Sequence, residues 1–376
     1  MNRIAEIARS FGVLGFSAFG GPTAHLGYFR TEFVERRRWL DDRQYSEIVA
    51  LSQLLPGPGS SQVGMMLGYH RAGFSGMAIA WLMFTWPSLA LMAAFALLFD
   101  ATSASWTLGL LAAAVAVVFH AVTGMARSMA STPRSATIAV ASGIAVLALP
   151  NAFTHLGVII LAGLIGAFSF NSLIDAAPPP SPLRAVPAWA GIGARVVFLG
   201  ALLGAVIMGG FYPAFIQAGS TVFGGGHVVL PLLEKLVVAP GFINETDFLS
   251  GYSAAQAVPG PMFSFASYLG AIYGGIGGAV LASLAIFFPA ALLSISGMYF
   301  WGRWRKAPRI PAAVSGINAG VVGLLGAALY DPVFTHGITS VSALAIAAVC
   351  WLGLAHWKIP PWAIAAGAAL AGWVLL

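Results

Sequence analysis

A chain of 376 residues with 59% hydrophobic and only 8% charged residues falls far below the roughly 25% charge of soluble domains, so it reads as a polytopic membrane protein. The net charge of +6 does not point to nucleic acid, because the basic residues sit in short loops between apolar segments, where they report orientation. Cys350 stands alone, which excludes an intrachain disulfide and a thiolate metal cluster.

The first apolar stretch, about 7–29, runs through Phe19-Gly20-Gly21-Pro22 and carries no small-residue cleavage site, so it is expected to stay embedded rather than be removed. A basic loop follows, with Arg30 just before it and Arg36, Arg37, Arg38 and Arg43 within it. A second interrupted segment carries Glu47 and Gln53, then Pro56-Gly57-Pro58-Gly59-Ser60-Ser61, and ends near Arg71. Backbone broken at membrane depth must be shielded in protein or line a wet cavity, because lipid offers its peptide groups no partner. The breaks therefore point to a substrate site. Continuous apolar segments are expected over about 76–99, 106–126, 135–150 and 153–174. The Pro-rich run from Asp175 to Pro187 is the linker, and one additional segment, about 195–210, follows it.

The whole pattern then recurs. Phe11, Gly15, Phe19, Gly20 and Gly21 match Phe215, Gly219, Phe223, Gly224 and Gly225 at an offset of 204. Gln53, Pro56, Gly57, Pro58 and Ser61 match Gln256, Pro259, Gly260, Pro261 and Ser264 at 203, and Gly68, Gly73, Gly76 and Pro87 match Gly270, Gly275, Gly278 and Pro289 at 202. Joint recurrence of Gly, Pro, Gln and Phe in order makes duplication the reading. Further apolar segments are expected over about 275–300, 312–330, 337–355 and 360–376. An odd number of crossings between the starts of the copies turns the second upside down. The charges agree: the loop corresponding to the Arg-rich one has only Lys235 among acids, while Arg303, Arg305, Lys306 and Arg309 replace a loop without bases downstream. If each interrupted segment enters and leaves on one face as a re-entrant hairpin, every Lys and Arg except Lys235 falls on the cytoplasmic side. Full crossing is the alternative, and both place the N-terminus inside and the C-terminus outside.

A helix that starts at membrane depth offers free N–H groups and about half a positive charge, an anion site without Lys or Arg. Pro22 and Pro58 are placed to open such half-helices, with Thr23, Ser60 and Ser61 as added donors. The second copy supplies Gly224, Gly225, Gly226 and His227, then Gly260, Pro261, Met262 and Ser264. Gln53 and Gln256 can donate or accept beside the Pro-Gly-Pro, or merely bridge helices. His25 and His227 can donate to an anion or carry a proton, or serve packing. Arg30, Glu47 and Arg71 are entrance or coupling candidates, set against ordinary roles in topology and helix capping. No His-Glu-x-x-His, G-x-S-x-G or Walker loop occurs, so enzymatic catalysis and ATP-driven pumping have nothing to stand on, and no cofactor is expected.

Taken together, Phe19-Gly20-Gly21-Pro22 with Ala24-His25, the run Glu35-Arg36-Arg37-Arg38-Trp39-Leu40, Gln53 to Pro58, and Gln256 to Pro261 with the Gly270 to Gly278 glycines resemble the chromate ion transporter family. The second copy departs from the first where Gly226-His227 replaces Pro22-Thr23. The resemblance implies a multi-pass inner-membrane carrier of bacteria or archaea that exports chromate, a tetrahedral dianion similar to sulfate, and so confers resistance. The expected fold is an all-α polytopic membrane protein with two inverted-topology repeats, over 1–174 and 211–376. Each has two interrupted segments plus four transmembrane helices, and 175–210 holds the linker and an additional transmembrane helix. Expected partners are chromate, with sulfate left open, and the lipid bilayer; a homodimer, a sulfate or other oxyanion carrier and an anion channel stay open.

Overall fold

The computed structural model describes residues 3–18, 21–98, 105–149, 152–169, 183–223, 229–304 and 309–376. Its elements are helical: α1 Arg3–Ser17, α2 Gly21–Arg30, α3 Asp42–Leu54, α4 Gly59–Leu98, α5 Ser105–Met129, α6 Pro133–Ala148 and α7 Ala152–Ser169. After α8, Ala188–Met208, come α9 Phe211–Thr221, α10 Val229–Leu233, α11 Glu245–Ala257 and α12 Phe265–Trp304. The chain closes with α13 Arg309–Ala328, α14 Thr335–Gly337, α15 Val341–Ala355 and α16 Pro361–Leu375. Five of the described helical spans are long and apolar enough to cross a membrane, and Pro133–Ala148, Gly157–Ser169, Val341–Ala355 and Ala363–Leu375 are shorter apolar helices. The protein is all-helical and multi-pass. Polar caps fix the starts: Asp41 and Gln44 form a reciprocal capping box at α3, Thr132 and Ser135 do so at α6, and Asn244 accepts from the Asp247 N–H at α11.

The two halves repeat in local conformation. Wide π-helical turns follow α2 at Thr31–Arg36 and α10 at Glu234–Val238. Each 40-residue helix, α4 and α12, is divided by a sharp reversal, at Ala72–Gly73 (φ −145° then 70°) and Gly274–Gly275 (φ −149° then 60°). The reversal folds the helix onto itself. Gly68 lies against Gly76 and Ala80, and Gly270 against Gly278 and Ala282, although a straight helix would hold residues eight apart about 12 Å from each other. Sequence placed the end of the interrupted segment and the start of the next one on either side of these points. One difference concerns Pro261: the corresponding Pro58 leads directly into α4, whereas Pro261 leads first into a tight 3₁₀ turn, Met262–Ser264, in which the Ser264 N–H donates to the Pro261 carbonyl at 2.9 Å.

The halves are intertwined rather than side by side. Helix α5 of the first packs on α15 and α16 of the second, and α13 of the second packs on α6 and α7 of the first. These crossings are made by small residues: Gly109 meets Ala368 and Gly372, Gly166 meets Ala312 and Gly316, and Gly143 meets Gly323. Helix α8 packs on α9 and α12 and turns Val196, Leu203, Val206 and Ile207 outward. An apolar surface of this kind suits lipid.

Opposite chemistry marks corresponding positions. In the first half the Glu6 carboxylate accepts from Trp39 Nε1 at 2.8 Å and from Arg71 Nη2 at 2.7 Å, with Arg37 at 3.6 Å. In the second half the residues matching Trp39 and Arg71 are Phe242 and Tyr273. There Tyr273 stacks on Phe211 at 3.9 Å, and Phe242 meets both rings edge-on at 6.0 Å. Beyond this aromatic group, burial pushes the Glu234 and Glu245 carboxyls up from their ordinary values, while His336, 3.1 Å from Glu245, works against the shift there.

A Cβ at position 316 would collide with the Ala162 carbonyl and with Gly166, whereas Gly367 has nothing within 4 Å. Overpacking typically costs about 1–3 kcal/mol. Gly316→Leu is expected to lower the melting temperature in detergent by several degrees in a fluorescence scan, and Gly367→Leu to leave it unchanged.

Candidate functional site

Backbone bonds between the halves tie each Pro-Gly-Pro turn to the residue that precedes the other half's Phe-Gly-Gly. The Gly57 N–H, in the first Pro-Gly-Pro, donates to the Val222 carbonyl at 2.6 Å, just before the second Phe-Gly-Gly. The Gly260 N–H, in the second Pro-Gly-Pro, donates to the Ala18 carbonyl at 2.9 Å, just before the first Phe-Gly-Gly. Gly57 matches Gly260, and Ala18 matches Val222, so the two bonds are one contact made twice. Each half completes the broken backbone of the other.

Both glycines need their missing side chain. Their φ values of 112° and 98° lie where L-residues are strained. A Cβ at Gly57 would also stand 3.0 Å from the Gly219 carbonyl, and one at Gly260 3.0 Å from Ser88 Oγ. The Pro-Gly-Pro turns therefore lie directly against the opposite half's helices.

His25, on α2, is fully buried and spans the two breaks of the first half: Nδ1 pairs with Ser60 Oγ at 3.2 Å, and Nε2 donates to the Ala18 carbonyl at 3.1 Å. With Nε2 committed as donor, Nδ1 accepts from the Ser60 hydroxyl. Phe84 meets the ring edge-on at 5.2 Å and seals it from α4. Ala18, His25, Ser60, Gly57, Val222 and Gly260 thus form one continuous group. Around it lie buried hydroxyls without a partner: Ser61 Oγ beside the first Pro-Gly-Pro, Thr85 Oγ1 on α4, and Ser220 Oγ two residues before Val222. Such atoms cost about 1–3 kcal/mol each when left dry. Each of these hydroxyls is free to donate to a ligand oxygen.

Of the remaining candidates, Gly21 and Pro22 open α2, Gly59 opens α4, and Pro58, Pro261, Met262 and Ser264 are buried. Thr23 and Gln256 belong to α2 and α11, with no described side-chain surroundings. Gly20, Gly224, Gly225, Gly226 and His227 lie outside the described residues. Gln53 is exposed, away from the buried group. The buried amide is Gln62, which the sequence did not single out: it is 0% exposed, and its Nε2 donates to the Pro56 carbonyl at 2.8 Å. The entrance candidates are engaged at the periphery, Arg30 with Asp42 at 2.7 Å and with Glu35, Arg71 with Glu6, and Glu47 with Arg43 at 3.9 Å.

Gln62, Thr85 and Ser88 were missed for a common reason. Each is a polar residue in a stretch otherwise made of apolar and small side chains, where helix packing uses the same residue types. The available signal lay in the comparison of copies: Ser60, Thr85 and Ser88 match Phe263, Phe287 and Ala290.

An all-helical membrane protein whose broken helices meet at a buried polar group has the construction of a transporter. The chromate transporter model matches residues 5–167 and again 210–373, so the chain belongs to the chromate transporter family. The chromate transport protein of Pseudomonas aeruginosa is 27% identical over 96% of this chain and 90% of its own length. That of Cupriavidus metallidurans is 25% identical over 99% of this chain and 93% of its own, and a probable chromate transport protein of Synechococcus elongatus is 28% identical over 87% and 84%. No solved structure matches the chain.

Strain at the Pro-Gly-Pro turn gives a direct expectation. Gly57→Ala, with φ at 112° and the Gly219 carbonyl 3.0 Å from the new Cβ, should cost about 1–3 kcal/mol and lower the melting temperature, while Gly59→Ala, with open space around it, should not.

Proposed function

We propose that this protein is a secondary carrier that exports chromate across the inner membrane and thereby confers resistance. The observation that carries the reading is the backbone pairing of each Pro-Gly-Pro with the opposite half, beside buried unpartnered hydroxyls, in a chain whose relatives are named chromate transport proteins. The anion is held by N–H groups after Pro22 and Pro58 and by the hydroxyls of Ser61 and Ser264, with backbone of the second copy near Pro261 opposite; Ser60, whose proton goes to His25, contributes its backbone N–H. On the sequence pattern, Gly20, Gly21, Thr23, Gly224, Gly225, Gly226 and His227 are assigned to the same site, and His25 positions Ser60. A membrane potential negative inside already favours anion exit, by about 2.3 kcal/mol per charge per 100 mV, so export needs no ATP.

The carrier is built from inverted repeats over 1–174 and 211–376, with the linker and α8 between them. The interrupted segments are re-entrant hairpins. Supporting this are the contacts of Glu6, at the start of α1, with Trp39 and Arg71, which follow the first and second interrupted segments: three chain ends meet at one face. The N-terminus is then cytoplasmic and the C-terminus outside. Sulfate is the competing substrate, since backbone and hydroxyl donors fit any tetrahedral oxyanion.

Two measurements test the reading. Inside-out vesicles containing the protein should accumulate chromate with saturation; flux without saturation would make it a channel, and uptake of sulfate alone would change the substrate. In a Cys350→Ser background, Arg37→Cys and Pro240→Cys, the latter at an exposed position, should be labelled from opposite faces of the membrane. Labelling from one face would overturn the inverted arrangement.

A further inference from the structure

Gln62 has a property that the hydroxyls around it lack. One N–H of its Nε2 is given to the Pro56 carbonyl at 2.8 Å, which orients the amide and sets Oε1 as its acceptor end. Oε1 is buried and has no hydrogen-bond donor. A hydroxyl can turn its proton toward an anion, but an amide oxygen only accepts. It would repel a fully deprotonated oxyanion at the place where the first Pro-Gly-Pro turns. An acceptor kept in a buried anion site implies a ligand that brings its own proton.

We propose that Gln62 selects the singly protonated oxyanion, accepting the O–H of hydrogen chromate while Ser61, Thr85 and Ser220 donate to its other oxygens. The inference rests on the chromate reading above and adds the protonation state and the residue that reads it. Charge argues the same way. Arg30 and Arg71 are engaged with Asp42, Glu35 and Glu6 at the periphery, so backbone and hydroxyl dipoles carry the stabilisation, and they meet the desolvation cost of one charge far more readily than of two. The rule also separates two anions of the same shape. Hydrogen chromate persists close to neutral pH, whereas hydrogen sulfate exists only in strong acid, so sulfate arrives without the proton that Gln62 requires.

Other groups near the acceptor must be separated from it. On α2, His25 is the titratable group whose bonds reach the break, through Ser60. On α3, Tyr45 is bonded to the Leu26 carbonyl and Glu47 is paired with Arg43; on α1, Glu6 is held by Arg71 at the face; on α12 and α11, Tyr268 and Tyr252 are buried behind Phe265.

The test is flux of chromate and of sulfate at subsaturating concentration into proteoliposomes of the full chain, with equal pH on both sides, at about pH 6 and about pH 8. For the wild type, chromate flux should fall roughly tenfold or more across that interval, following hydrogen chromate, while sulfate flux stays low at both. Gln62→Met should flatten the pH dependence and reduce the chromate-to-sulfate ratio by about tenfold. Chromate flux that is level or rises with pH in the wild type overturns the proposal without any variant. So does a Gln62→Met protein that keeps both slope and ratio, which would assign the titration to His25, or a flux at fixed pH that rises with sodium, which would give the acceptor to a cation. Absence of chromate flux at either pH would instead remove the transport reading on which the proposal stands.

Discussion

A peptide group freed from a helix inside a membrane has no water to bond, and this chain meets that constraint by letting its breaks satisfy one another. Gly57 N–H reaches Val222, and Gly260 N–H reaches Ala18. Neither half can supply its own partner at these points, so each needs the other before its broken segments are tolerable in lipid. The exchange extends through the outer helices, where α5 rests on α15 and α16 while α13 rests on α6 and α7. Gene duplication gives two copies; the need for backbone partners makes them one body.

The frame is repeated, and what lines it is not. At one end the Glu6 carboxylate gathers Trp39 and Arg71; at the other, Phe242 and Tyr273 hold the positions of that Trp and Arg and pack on Phe211. Under the proposed orientation the ionic group faces the cytoplasm, where basic residues are retained, and the rings face the opposite interface, where aromatic side chains are favoured. Identical backbone geometry has therefore been fitted to two different surroundings by side chains alone.

Much of this was legible in the sequence because the constraints are local. The breaks follow from Gly and Pro in apolar surroundings, and the matched reversals at Gly73 and Gly275 lay between segments already divided there. The exchange between halves was not legible, since helix packing through Gly109 or Gly316 leaves no mark that distinguishes a partner in the same copy from one in the other. Gln53 illustrates the remaining limit. A Gln stands three residues before each Pro-Gly-Pro turn, yet α3 ends at Leu54 between Gln53 and the turn, and Gln53 is left exposed while Gln62 is buried in the next helix.

A repeated frame with a one-sided lining has a consequence for transport. If the halves exchange conformations to open alternately to each side, the backbone bonds at Gly57 and Gly260 are the symmetric hinge region, and their equivalence lets the two states differ little in energy. The lining cannot exchange in that way, because Phe263 and Phe287 stand in the other copy where the first has Ser60 and Thr85. An anion approaching from either side would meet the same first-half side chains. Symmetry then serves the movement of the carrier, and the loss of symmetry serves recognition.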